Sequence, residues 1–334
     1  MAPLDIKSIQ RTLRIPETGI YDDFTEAAVR NFQLKSSLPV TGVVDNETAM
    51  FLLPPTTENT LVISDPDIDV PEITPTTDLS ETLPDFKVNK KIIPQFSYIN
   101  GKKVPNYLTP SKKEYIFLHH TAGWENPYQV VDQWTKDDRG PVVTQFIIGG
   151  SNHRTADPKY DGEIVQCMEY EDYGWHNGLG KSPLQVNSIG IELCNFGFVT
   201  KSGYTKSAKW IDKPKDRFYT YIGTEVHPEQ VVDLGKSWRG HRYFHRYSEQ
   251  QIKSLEYLIR KIGDDNGIDI RKGLQDRLKR MNKFKAFDFD AAILSGKIKG
   301  LFLHTNVSGP NKWGGYEKWD LFPQDEVCDM ILGL

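Results

Sequence analysis

The chain has 334 residues, 41 basic and 45 acidic side chains, and a hydrophobic fraction of 38%. At roughly 150 residues per domain this length allows two or three compact units, and the apolar content supplies a sizeable core, which excludes wholesale disorder. No run approaches the ~18 consecutive apolar residues of a membrane-spanning helix, and the net charge of −4 excludes a strongly basic nucleic-acid coat. The opening, MAPLDIKSIQ, has neither a basic n-region nor an apolar h-region, so no secretory signal is expected. Cys167, Cys194 and Cys328 are too scattered for a disulfide framework or a CxxC zinc motif. The expectation is a soluble protein of a reducing compartment that engages no nucleic acid and inserts into no membrane.

Residues 1–53 show helical periodicity interrupted by two similar turns. Ile6, Ile9 and Leu13 fall on one face, as do Ala28, Val29 and Phe32. Thr18-Gly19-Ile20-Tyr21-Asp22 and Thr41-Gly42-Val43-Val44-Asp45 each precede a helix start bearing a threonine, Thr25 and Thr48. Glycine permits the turn, and Asp or Thr accepts from the free N–H groups of the next helix. Three short helices are predicted, in a unit too small for enzyme chemistry and without histidine or cysteine. With Gln10, Gln33 and the run Gly19-Ile20-Tyr21-Asp22-Asp23-Phe24, the segment resembles the peptidoglycan-binding three-helix domain found beside many wall hydrolases. The resemblance implies a wall anchor, with Tyr21, Asp23, Phe24 and Gln33 as its contacts. A generic protein-binding bundle is the alternative.

From Pro54 to Phe86 the chain holds six prolines, eight carboxylates, and neither a basic residue nor a glycine. Proline blocks helix interiors and removes ladder donors, while like charges extend the chain. The stretch reads as a semi-stiff acidic linker of at most ~100 Å, at roughly 3.1 Å per residue. An irregular extension packed on the next domain, with a strand at Leu61–Ile63, is the alternative. What remains, residues 87–334, carries 36 basic and 30 acidic groups. That mild positive balance favours an anionic polymer, although solvated helices produce the same balance.

Beyond residue 90 the pattern is mixed α/β: a central β-sheet flanked by helices. Tyr115–His119, Gln145–Ile148, Ile164–Met168, Ser188–Leu193 and Gly300–His304 are short apolar runs of strand type. Tyr128–Trp134 and Ser248–Ile262 have helical spacing, the latter opened by a serine N-cap. Residues 268–296 are basic and read as helical with a solvated face.

Among eight histidines, His119 and His304 end two similar buried strands, YIFLH and GLFLH. A strand end holds a side chain rigidly while letting it face a cleft. Catalytic zinc sites combine three N, O or S ligands with an open position for water. A third ligand should therefore be Cys, Asp or Glu, and Asp320 is the candidate. His241 and His245 are spaced i, i+4, but the zinc-protease pattern needs an adjacent glutamate, and Arg242 stands there. That pair is expected to pack beneath the cleft or to line its approach.

Taken together, IFLHHTAG, Trp175-His176-Asn177, VNSIGIELCNFG, YSEQQIKSLEYLI, LFLHTN and Lys318-Trp319-Asp320 resemble the type-2 zinc N-acetylmuramoyl-L-alanine amidases, whose fold is shared with peptidoglycan recognition proteins. The resemblance covers most of residues 110–323 with the order of elements preserved. It implies one Zn2+ held by His119 (not His120), His304 and Asp320, with Glu192 as the base and Lys318 as the oxyanion stabiliser. It also implies substrate contacts from His176, Trp175, Asn177 and Thr144, with His176 otherwise a structural donor. Departures from the family pattern are Thr144-Gln145-Phe146 in place of a histidine-bearing strand, a longer turn from His304 to Lys318, and insertions near 197–240 and 267–298. The implied reaction is hydrolysis of the amide between N-acetylmuramic acid and L-alanine, with peptidoglycan as partner and a monomer as the working state. The setting expected is that of a phage endolysin, held in the host cytoplasm until release, or a virion-associated lysin. A non-catalytic wall-binding protein and a zinc peptidase cutting elsewhere in the stem are the competing readings.

Overall fold

A computed structural model describes residues 86–108, 111–201, 217–311, 315–316 and 318–334. In the N-terminal segment it describes 6–13, 17, 19–21, 25–26, 28–29, 32–33, 43–44 and 48. The chain divides into two compact units, Met1–Glu81 and Thr82–Leu334.

In the first unit a helix spans Ile6–Thr12, and residues 25–26, 28–29, 32–33 and 48 are also helical. Ile9 and Val29 form its buried centre, with Leu13, Tyr21, Phe32 and Val44 packed around them. An internal repeat of the sequence explains the two similar turns. Gln10 donates to Ile20 O (2.9 Å) and Thr25 Oγ1 (3.0 Å), and Gln33 donates to Val43 O (2.8 Å) and Thr48 Oγ1 (3.1 Å). Each glutamine thus ties a turn to the start of the following helix, meeting polar groups that would otherwise be costly to bury. The structure gives Gln33 a role within the unit. Its side chain is fully enclosed and helps hold the unit together. Tyr21 is half-buried, while Asp23, Phe24 and all of 51–85 lie outside the described residues.

The second unit is α/β. Its strands are β1 (Val88–Lys90), β2 (Phe96–Ile99), β3 (Lys102–Pro105), β4 (Tyr115–His120), β5 (Phe146–Ile148), β6 (Ile164–Gln166), β7 (Ser188–Leu193), β8 (Phe198–Lys201), β9 (Phe218–Thr220), β10 (Glu225–Val226), β11 (Val231–Trp238), β12 (His241–His245) and β13 (Gly300–Leu303). A six-stranded sheet runs β1-β6-β5-β7-β4-β13, parallel except between β5 and β6. β4 and β7 are nearly all buried, as continuous apolar runs at the middle of a covered parallel sheet should be.

Period-2 alternation splits these strands between two cores. Ile116, Leu118, Ile189, Ile191, Leu193, Leu301 and Leu303 face the helix Glu249–Asn266, which contributes Leu255, Leu258, Ile259 and Ile262. Tyr115, Phe117 and Phe302 face the opposite side. That helix opens with a capping box between Ser248 and Gln251 and closes at Gly267, whose φ of 66° lies in the left-handed region.

The described residues of both expected insertions carry secondary structure. In the first, β8–β12, from residues 198–201 and 218–245, form a five-stranded antiparallel sheet in the order β10-β9-β8-β12-β11. His241 and His245 therefore lie on a strand, not on one face of a helix. Residues 274–294 form three short helices, Leu274–Arg280, Lys283–Ala286 and Ala291–Leu294.

Candidate functional site

His119 and His304 meet because β4 and β13 are adjacent and parallel. Leu303 pairs with Leu118, which brings the next residue of each strand side by side. Strand alternation also separates His119 from His120. His119 points to the side of Tyr115 and Phe117, whereas His120 points to the helix side and bonds Tyr247 Oη at 2.7 Å. Gly197 lies against that ring: a Cβ there would sit 2.6 Å from His120 Nε2.

His119 Nδ1 lies 3.1 Å from His304 Nδ1 and 3.4 Å from Asp320 Oδ2, and His304 Nδ1 lies 2.6 Å from the same oxygen. Among the described residues these three form a group able to hold a metal ion. The fit to zinc can be tested on the triangle itself. The circle through its corners has a radius of about 1.8 Å, less than the ~2.0–2.2 Å of zinc–nitrogen and zinc–oxygen bonds. One ion can therefore reach all three atoms from just outside their plane, leaving its outer side open. Two imidazoles and one carboxylate are a donor set that zinc accepts.

Electrostatics agree with that reading. Burial lowers the His119 pKa to about 4, keeping the ring neutral and its lone pair available. Burial pushes Asp320 upward, but the neighbouring His304 and His119 outweigh it and hold the carboxyl well below its usual range. Glu192 is in register with His119 across β4 and β7, so the two side chains rise from the same face. Among the described residues its Oε2 is buried without a hydrogen-bond partner. Burial first, then the charge of Asp320, raise its pKa well above the ordinary carboxyl value, with Lys318 opposing.

His176 sits behind His119. Its Nδ1 is 2.9 Å from His119 Nε2, and its Nε2 is 2.9 Å from Ser188 Oγ, which in turn donates to Gln185 O. Both ring nitrogens are engaged and the side chain is largely buried, as a structural donor behind His119 would be. A partner on the far nitrogen of a metal-ligating histidine fixes ring orientation and tautomer. Asn177 is likewise buried and bonded to Leu184 O and Gln185 Oε1. Thr144 is buried, donates to Phe146 O, and packs over Gly190. Of the expected substrate contacts, His176, Asn177 and Thr144 lie in the wall of the site. Trp175 alone of that group is exposed.

Gln145 occupies the histidine position of the family pattern. It accepts from Gly190 N (2.8 Å) and donates to Asp172 O (2.7 Å), bracing β7 beneath Glu192.

The long turn between His304 and Asp320 is held by a residue that sequence reasoning passed over. Arg239, at the turn between β11 and β12, buries its guanidinium and pairs with Asp288 at 2.7 Å. It also donates to Lys318 O (2.8 Å), Thr305 O (2.7 Å) and Ser308 O (3.1 Å). Trp319 Nε1 returns a bond to Arg239 O at 2.9 Å, and the Tyr316 ring lies 4.4 Å from the guanidinium. Arg239 and Asp288 come from the two insertions, so together the insertions fasten the segment bearing Lys318 and Asp320. The Lys318 side chain is itself exposed. Arg239-Gly240 signals a hairpin turn, but nothing in the sequence shows that its guanidinium turns inward.

A cleft of about 400 Å³ opens beside Glu192 and runs along the helix Pro127–Trp134. The family profile described as N-acetylmuramoyl-L-alanine amidase matches residues 109–275, half of the chain. The chain belongs to that amidase family. It is an enzyme that acts on peptidoglycan as an N-acetylmuramoyl-L-alanine amidase. A second profile, for a peptidoglycan binding domain, matches residues 6–52. The amidase match ends before His304, Lys318 and Asp320, which the fold returns to His119 through β13.

Solved structures similar to the amidase include a mutant endolysin from Bacillus subtilis, 16% identical over 55% of this chain and 80% of that one, TM-score 0.32. The amidase LysC from Clostridium intestinale is 14% identical over 72% and 94%, TM-score 0.32. A selenomethionine derivative of AmpD is 13% identical over 73% and 93%, TM-score 0.33. Curated proteins give no match.

Proposed function

We infer that this amidase is zinc-dependent, with His119 Nδ1, His304 Nδ1 and Asp320 Oδ2 as the ligands. The observation that carries the reading is the convergence of these three atoms at 3.1, 3.4 and 2.6 Å, out of three separate chain segments. When bound, the ion supplies a Lewis acid for the scissile carbonyl and a water acidified towards neutrality.

The chain's own residues supply the rest. Glu192, rising beside His119 with one oxygen unbonded, takes the proton of the attacking water on that oxygen and passes it to the leaving amine. Its raised affinity for a proton suits both halves of that transfer. Lys318, whose charge reaches Glu192 and His119, is the cation that stabilises the oxyanion, a contribution of about 2.7–4 kcal/mol for one well-placed donor. His176 and Ser188 keep His119 Nδ1 aimed at its partners. A 1–53 unit, joined through 54–86, tethers the catalytic body of 87–334 to its polymer and raises the local concentration of bonds. Wall lysis, as by a phage endolysin, is the outcome of that pairing.

The test is a digest of purified sacculi with and without chelator, read by mass spectrometry. New L-alanine N-termini that vanish with chelator and return with added zinc support the reading. Equal release in chelator defeats zinc dependence, and zinc-dependent cuts elsewhere in the stem defeat the bond assignment.

A further inference from the structure

The cleft beside Glu192 has one wall from the shared α/β body and one from the first insertion. The body's wall is a helical stripe. Gln129, Val130, Gln133 and Trp134 fall at i, i+1, i+4 and i+5 of the helix Pro127–Trp134, alternating amide and apolar groups along the cleft. The opposite wall is the turn between β9 and β10, which presents Tyr221 and Ile222, both more than 40% exposed. Exposed apolar side chains grouped beside amide groups at one cleft make a surface suited to a ligand. This turn is not a loose hairpin. Tyr221 Oη donates to Ala122 O at 2.7 Å, tying the insertion to the loop that follows His119 and His120. Trp124, also exposed, stands on that loop with its ring 5.2 Å from Phe196, and the Phe196 ring lies 6.3 Å from Tyr221.

The scissile amide joins a sugar to a peptide, so the cleft beside Glu192 receives one of the two. Charge decides between them. The charged groups lining it are Asp137, Arg139 and Glu192. Arg139 is already committed to Asp137, with its Nε 2.9 Å and its Nη2 2.5 Å from that carboxylate. Among the described residues that line the cleft, no cation stands unpaired for a peptide's carboxylates. A neutral pyranose instead offers a C–H face to aromatic rings, and hydroxyl and acetamido groups to glutamine side chains.

We propose that the insertion turn Tyr221–Ile222, with Trp124 and the Gln129/Gln133 stripe, forms a subsite for the N-acetylhexosamine units of the glycan strand. This rests on the reading of Glu192 as the group beside the scissile bond. The insertion thus makes the enzyme a reader of the strand as well as of the amide.

All seven tryptophans lie at or beyond residue 124, so tryptophan fluorescence reports the second unit and is blind to the wall-binding one. The full-length chain, held in chelator, is titrated with the N-acetylglucosamine tetramer and separately with the tripeptide L-Ala-γ-D-Glu-L-Lys. The expected result is a saturable shift with the tetramer, weakened at least tenfold in both Tyr221→Ala and Ile222→Ser, and no shift with the tripeptide. Thermal unfolding of the two variants verifies that they are folded. A shift with the tripeptide alone overturns the proposal, as does a tetramer shift unchanged in both folded variants or no shift with either probe. Because the titration needs neither metal nor turnover, it can fail while zinc-dependent hydrolysis stands, and hydrolysis can fail while it succeeds.

Discussion

Replacing Arg239 with methionine keeps most of the side chain's apolar length and removes its five donors. Left behind are the Asp288 carboxylate and the carbonyls of Lys318, Thr305 and Ser308, all now served by the guanidinium. Breaking a buried ion pair from one side costs about 3–5 kcal/mol. Asp288 is one-third exposed, so water recovers part of that loss, and about 2–3 kcal/mol of global stability is the expectation. The more telling effect is local. Lys318 O is two residues from Asp320, and Thr305 directly follows His304, so two of the three ligand segments lose their fastening. Loss of a supporting partner behind metal ligands typically weakens affinity by ~10–100-fold, or about 1.4–2.7 kcal/mol. Zinc affinity measured by competition with a chromogenic chelator, beside urea unfolding of the same samples, separates the two effects. Arg239→Lys should fall between, because one ammonium cannot serve a carboxylate and three carbonyls at once. Zinc affinity within twofold of wild type in Arg239→Met, with stability reduced, would refute the idea that the insertions organise the site.

Two further outcomes follow from particular contacts. A Cβ at Gly190 would stand 2.5 Å from Thr144 Cγ2 and 3.1 Å from His176 Nδ1, so Gly190→Ala should displace His176 and weaken zinc binding about tenfold. Wild-type affinity in that variant would show that His176 does not position His119. Lys113 is buried against Ser111 Oγ, Asp172 O and Val186 O, and burial lowers its pKa from 10.5 to about 7. Between those values the unfolded chain holds a proton that the folded chain has released, so stability should rise with pH across that window. The rise from pH 7 to 9 should be on the order of 2 kcal/mol, and Lys113→Met should abolish it. Equal pH profiles of the urea midpoint in the two proteins would exclude Lys113 as its source.

Much of the central sheet was legible because its strands are short apolar runs, and β7 spans the predicted Ser188–Leu193. The helix after Ser248 was legible for a similar reason, since its cap and its 3.6-residue period are local signals. The assignment of His119 over His120 came from resemblance, and the structure adds the physical cause: neighbours on a strand face opposite sides. What stayed hidden was non-local. His176 stands next to an exposed tryptophan in sequence, and only the fold turns it behind His119. Gln33 closes a turn through Val43 O, ten residues away, a partner that the local sequence does not announce. The insertion near 197–240 reads from sequence as extra length, although Val231–Leu234 alternates in burial as a half-covered strand does. Its service to Asp320 runs through Arg239 across 79 residues to Lys318, a distance no local pattern spans.

The division of labour between a metal triangle and a separate proton carrier is tested most directly by zinc content beside hydrolysis in two variants. Glu192→Gln should retain one zinc per chain and release no L-alanine termini, while Asp320→Asn should lose zinc binding by at least tenfold and hydrolysis with it. Full hydrolysis by Glu192→Gln, or undiminished zinc in Asp320→Asn, would contradict the account.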